Sequence, residues 1–227
     1  YFGFDNCIKS GKKILIDSID LMFSQTGFLR EGSSHYQLLI TRSYLEALYF
    51  AKQFSDKDFE VVLGNKTKNI WKGACFFLEE EELPIFGDVS PDYSINFHRG
   101  VGFLGEVLWG EKSDALVPKN AAWHSLFNTS NYSKKTQSQP MGLNNNHDAG
   151  YCRYRNDNFS LYIYTSPEGY VAPWSHGHSD IGHFILYVKG EPLLIGTGRM
   201  DYKNTEKSNY GRSVRSHNSL DFDSREP

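Results

Sequence analysis

The sequence predicts an α+β multidomain chain: a helical layer or toroid, a loop-rich connection, and an antiparallel β-domain cut before its end. Three observations point there. Apolar residues recur every three to four positions in the first third. The middle is dense in turn residues. The last third alternates with period two. The boundaries read as 1–86, 87–147 and 148–227.

Ile14, Ile16, Ile19, Met22 and Phe23 supply the first apolar face, which Gly27 ends. A second helix starts near Ser33 or Ser34 and runs to about Phe54, with Leu38, Leu39, Leu45, Leu48 and Tyr49 as its stripe. A third segment, 69–83, carries Trp71, Ala74, Cys75, Phe77 and Leu78, and Pro84 stops it. Its run from Glu79 to Glu82 reads as a solvated face or a helix end. Gly87-Asp88 and Ser90-Pro91-Asp92 read as turns, within a linker holding a few short helices. Residues 150–155 and 159–165 flank Asn156-Asp157-Asn158 as a hairpin. Phe159, Leu161 and Ile163 share one face, Tyr162 and Tyr164 the other. Residues 183–188 and 192–195 flank Lys189-Gly190-Glu191 as a second hairpin, and 218–222 reads as a further short strand.

Composition removes several classes. Hydrophobic residues at 39% against 22% charged support a packed core rather than a disordered chain. A net charge of -3 with no long Lys/Arg run excludes a nucleic-acid footprint. No apolar stretch approaches the ~18 residues that span a bilayer. Cys7, Cys75 and Cys152 lie far apart, which excludes a disulfide scaffold and a cysteine zinc finger. The chain opens on Tyr1 with neither start Met nor signal peptide, and reads as an internal piece of a longer protein.

Three local patterns bear on chemistry. Trp174-Ser-His-Gly-His-Ser-Asp180 places His176 and His178 two apart on an extended segment, so both imidazoles point the same way. His217 is a third candidate, and neutral imidazoles are common zinc ligands. Two histidines satisfied by backbone in a loop are the plain alternative. Arg30-Glu-Gly-Ser-Ser-His-Tyr36 stands at the entry of the second helix, where Ser33 or Ser34 can cap it. Tyr36 there suits either packing or proton transfer. A third pattern is the cationic stretch Arg199, Lys203, Lys207, Arg212 and Arg215, opposed only by Asp201 and Glu206. Arginine forks can take a carboxylate or sulfate through two bonds; a solvated loop is the alternative.

In this order the patterns resemble the heparinase II/III-type polysaccharide lyases and the related alginate and oligoalginate lyases. Glu31-Gly32-Ser33-Ser34-His35-Tyr36 resembles the family's Glu-Gly-Ser-x-x-Tyr motif. His176-Gly-His178-Ser-Asp180, Gly190-Glu-Pro-Leu-Leu194 and the stretch 212–218 match its later motifs, most specifically over 150–223. The resemblance implies the C-terminal part of an (α/α) toroid followed by a truncated antiparallel β-sandwich. It implies β-elimination at a uronic acid: one group takes the C5 proton and another protonates the leaving glycosidic oxygen. Tyr36 falls on the family tyrosine, as base or acid, with cationic neighbours expected to lower its pKa. Tyr202 falls near a second tyrosine, and His176 would face the substrate and help to neutralise charge. His178 and His217 fall on metal ligands, with zinc as a mainly structural cofactor. The partner would be an acidic polysaccharide or oligosaccharide, and the location periplasmic or secreted.

Two departures stand against the pattern. The family's ligand Asp in Leu-Leu-x-Asp-x-Gly is replaced here by Gly196, leaving Asp180 or Asp201 as substitutes. The family's carboxylate-neutralising Asn or His would lie before Tyr1. Arg212, Arg215 and Asn218 are candidate substrate contacts or supports of the site. Trp174 is a sugar platform or core packing. His35 reads as exposed, and His98, His124, His147 and His183 receive no role. The alternative function is a catalytically inactive glycan-binding or polysaccharide-assembly protein on the same fold. A small metal-dependent β-barrel enzyme would leave the helical half unexplained.

Overall fold

The computed structural model describes residues 4–92, 94–112, 141–165 and 176–221. Helix α1 (Asp5–Met22) buries Ile19 and leads into a turn where Phe23 bridges Leu29. Helix α2 (Ser34–Gln53) starts where Ser33 accepts the Tyr36 amide, and its inner stripe is Leu38, Thr41, Leu45 and Leu48. Helix α3 (Lys57–Phe76) begins well before the segment expected from sequence. Asp56 caps it, and Phe59, Leu63, Thr67 and Ile70 carry the buried stripe back to its start. Two short helices follow, α4 (Ile95–His98) and α5 (Gly100–Trp109). Trp71 pins α5 by donating to the Gly102 carbonyl at 3.0 Å.

The strands β1 (Gly142–Asn146), β2 (Tyr151–Arg155), β3 (Phe159–Tyr164), β4 (Phe184–Val188) and β5 (Glu191–Leu194) form one antiparallel meander in chain order. Both expected hairpins are present. Asn156 shapes the first turn by accepting the amides of Asn158 and Phe159, each at 2.9 Å. The strand expected over 218–222 is absent from 218–221. Asn218 instead clips the sheet through its side chain, donating to the carbonyls of Phe184 and Ile195 at 3.0 and 3.1 Å. Helix α6 (Glu206–Arg212) carries a capping box of Thr205 and Ser208, and a single 3-10 turn, Val214–Ser216, ends the path.

One core joins helices and sheet. Tyr151, Tyr162, Tyr164, Ile185 and Tyr187 face Phe28, Phe76, Phe77 and Phe86. Phe28 stacks on Tyr151, which stacks on Tyr164. The four-glutamate run follows the end of α3, and only its second half, Glu81 and Glu82, is solvated. Glu79 and Glu80 are 2% and 4% exposed. Glu79 pairs with Arg153 and, at 3.2 Å, with Arg155. Glu80 pairs with Arg155 and accepts from the Tyr162 hydroxyl at 3.1 Å. Sequence reading misses this because the arginines lie on the buried side of β2 and their glutamate partners are more than seventy residues away in the chain.

Candidate active site

Three backbone segments cross where the site is built. Gly32, Gly87 and His176 meet so closely that a Cβ on Gly87 would stand 2.5 Å from both the Gly32 and His176 carbonyl oxygens. Gly87 also adopts φ 59, which side chains disfavour. The next residue is tied at both ends: the Asp88 amide donates to the His176 carbonyl at 2.7 Å, and the Asp88 carbonyl accepts from Ser33 Oγ at 2.7 Å. The helix cap, the turn and the histidine motif are thus one knot.

From this knot the side chains converge. Tyr36, on the first turn of α2, stacks on His176 with ring centroids 3.5 Å apart and planes 7° apart. Its hydroxyl lies 2.8 Å from the Tyr202 hydroxyl. Arg199 covers the Tyr202 ring at 4.2 Å and donates to Ser90 Oγ at 3.1 Å. His176 is a quarter exposed; its Nδ1 lies 3.0 Å from Asp88 Oδ2 and its Nε2 lies 3.9 Å from Glu31. The Tyr36 pKa is not lowered. Burial and the hydrogen bond with Tyr202 push it up to about 12, and Arg199 only partly opposes this. The phenol is therefore protonated at neutral pH.

Beside this group lies a histidine pair, His178 buried and His217 partly buried. His178 Nε2 is 3.0 Å from Asp88 Oδ1, and His178 Nδ1 is 3.2 Å from His217 Nε2. His217 Nδ1 lies 2.8 Å from the Ser213 carbonyl. Each ring thus has its far nitrogen on an oxygen acceptor, the usual outer support of a ligating histidine. The donor set stops there. Gly196 offers no side chain, and a Cβ on it would meet the Ile85 carbonyl oxygen at 2.5 Å. Among the described residues no group of three or more His, Cys, Asp or Glu side chains could hold a metal ion. Two imidazoles fall short of the closed zinc site that the resemblance implies. Asp180 is buried, which raises its pKa to about 7, with backbone amides opposing the shift.

Other expected residues scatter. Arg212 Nη2 lies 3.7 Å from Asp88 Oδ2, beside the site. Arg215 is over half exposed and lies 3.5 Å from Asp221. The Asn218 amide is committed to two carbonyls. Trp174 lies outside the described residues. His35 is half-buried rather than exposed, accepting from the Ser90 amide at 3.4 Å, and burial lowers its pKa. His183 accepts the Asn218 amide at 3.0 Å. Asp88 and Arg199 are the residues that sequence reading passed over. Gly87-Asp88 read as a turn, and Arg199 as one charge in a cationic stretch.

An α+β body whose helices and antiparallel sheet meet beside a tyrosine–histidine cluster is the class of protein that fold and site define. Residues 138–227 match the family model for the heparinase II/III-like C-terminal domain. No curated protein matches the chain. Similar solved structures include a heparinase III gene product, with TM-score 0.72 and 19% identity, over 96% of this chain and 33% of that one. Another is the heparan sulfate lyase HepC from Pedobacter heparinus, with TM-score 0.70 and 20% identity, over 96% and 33%. A third, a heparinase III, has TM-score 0.71 and 19% identity, over 98% and 36%. At this identity the likeness shows the fold, and the chain spans about a third of those proteins' length.

Proposed function

We propose that this chain is part of a polysaccharide lyase that cleaves an acidic, uronate-containing glycan by β-elimination, built on a toroid and a β-sandwich. The observation that carries the reading is the group formed by Tyr36, Tyr202 and His176, far apart in the chain and brought into mutual contact at a partly exposed surface. In the reaction the C5–H bond breaks, its electrons form the C4–C5 double bond, and the C4–O4 bond breaks with a proton delivered to O4. Tyr36, protonated at neutral pH, suits the acid that protonates O4. Tyr202 shares a hydrogen bond with it and offers a route to reprotonate the phenol. His176 Nε2, on the side away from Asp88, is the base for the C5 proton. Arg199 and Arg212 give the cleft positive charge for a uronate or sulfate group. An exported location, periplasmic or secreted, belongs to this reading; among the described residues no helix is long and apolar enough to cross a membrane.

The test uses the full-length parent protein and a Tyr36→Phe variant on a panel of uronate polysaccharides, following ultraviolet absorbance of the unsaturated product. Product from the parent and a loss of about 10²–10⁴-fold in the variant support the reading. Gly196 favours a second reading, a glycan-binding or polysaccharide-assembly protein without turnover. Intact glycan binding with no product on any substrate would establish that one instead.

A further inference from the structure

Resting on the lyase reading of the cleft, we infer that Asp88 is the positioning residue of the site, fixing His176 with Nδ1–H inward and its Nε2 lone pair toward the substrate. A carboxylate only accepts hydrogen bonds, so a ring nitrogen facing it carries the proton. Asp88 Oδ2 faces His176 Nδ1 at 3.0 Å, whereas the Glu31 carboxylate stands 3.9 Å from Nε2, beyond hydrogen-bond reach. A neutral imidazole with its proton there has a bare Nε2, the form a base requires. Stacking against Tyr36 at 3.5 Å restricts the tilt of the ring, and the Asp88 bond restricts its rotation in plane.

The second oxygen does the same for the buried His178. Asp88 Oδ1 faces His178 Nε2 at 3.0 Å, leaving His178 Nδ1 bare on the side of His217 Nε2. One carboxylate, 2% exposed at its side chain, therefore sets two ring orientations on opposite sides of the knot. Its own position does not depend on those rings. The backbone is held by the His176 carbonyl, by Ser33 Oγ and by the tight crossing at Gly87. An isosteric amide at 88 can therefore keep the fold. It presents only one accepting oxygen to the two histidines, and one ring loses its partner or reverses its tautomer.

The test is made on the full-length parent protein with Asp88→Asn, His176→Gln and the double variant. Ring-nitrogen NMR of labelled histidine, assigned through His176→Gln, is expected to show His176 protonated at Nδ1 in the wild-type protein. Turnover in Asp88→Asn is expected to fall about 10–100-fold in kcat with KM within about twofold. The double variant is expected to be no slower than His176→Gln, because both act through one ring. An Nε2-protonated His176 in the wild-type protein, an unchanged kcat in folded Asp88→Asn, or effects that multiply in the double variant would each overturn the inference. If Asp88→Asn does not fold, the wild-type spectrum decides alone. If the parent turns over no glycan, the lyase reading falls, and the same spectrum still decides the role of Asp88.

Discussion

A Cβ at position 196 would press on the Ile85 carbonyl oxygen at 2.5 Å and on His183 Nε2 at 3.0 Å. Backbone cannot yield as a flexible side chain can, so Gly196→Asp is expected to lose about 1–3 kcal/mol in urea unfolding and to take up no zinc. Stoichiometric zinc at unchanged stability would show that the loop relaxes to accept the ligand. The phenol pair makes a second prediction at this scale. Part of the rise in the Tyr36 pKa to about 12 comes from its bond with Tyr202. Tyr202→Phe should bring the ionisation of Tyr36 back toward 10, measured by ultraviolet titration with Tyr36→Phe as the blank. The place of Tyr36 on the first turn was legible from the capping serine before it, while its candidacy for proton transfer rested on the Glu-Gly-Ser-x-x-Tyr resemblance. Asp88 was not legible, because its histidine partners are distant in the chain and Gly-Asp alone describes a turn equally well.

Among the elements, α2 shows how a cap becomes part of a site. Ser33 holds the Tyr36 amide and also donates to the Asp88 carbonyl. Ser33→Ala should therefore cost about 2 kcal/mol in chemical denaturation, at the upper end for a cap. A loss of a few tenths would mean that the bond to Asp88 contributes little. The helices and hairpins were readable from periodicity, turn residues and caps. The start of α3 was not, since the exposed Val61 and Val62 between Phe59 and Leu63 blur the helical spacing and only Asp56 marks the cap. The expected strand near 218 failed for a different reason. Asn218 uses its side-chain amide to reach carbonyls that a strand would have met through its backbone.

On the scale of the whole molecule, the ion cluster of Glu79, Glu80, Arg153 and Arg155 binds the end of the helical half to the sheet. Removing one partner leaves buried charge behind, so Glu80→Ala should cost about 3–5 kcal/mol, checked by urea unfolding against the wild-type protein. Acid sensitivity follows from two other buried groups. Burial lowers His98 to about 4 and His183 to about 3. The unfolded chain protonates both near 6.5, so their contribution is complete above pH 6.5 and is lost as pH falls through about 4 and then about 3. Asp180, raised to about 7, acts in the opposite direction, because the folded state keeps its proton up to that pH. His98→Gln should flatten the fall in urea midpoint between pH 6.5 and 4; an unchanged slope would remove His98 from the balance.

The continuous aromatic core that joins helices and sheet has one more consequence. Phe28, Tyr151 and Tyr164 form a stacked column between the two halves, and Phe76 meets Tyr162 edge-on beside it. A bite that opened by parting the halves would have to unzip that column and strip the glutamates from their arginines. The join between the halves is therefore a fixed block, and motion at the site is left to the side chains and turns around it.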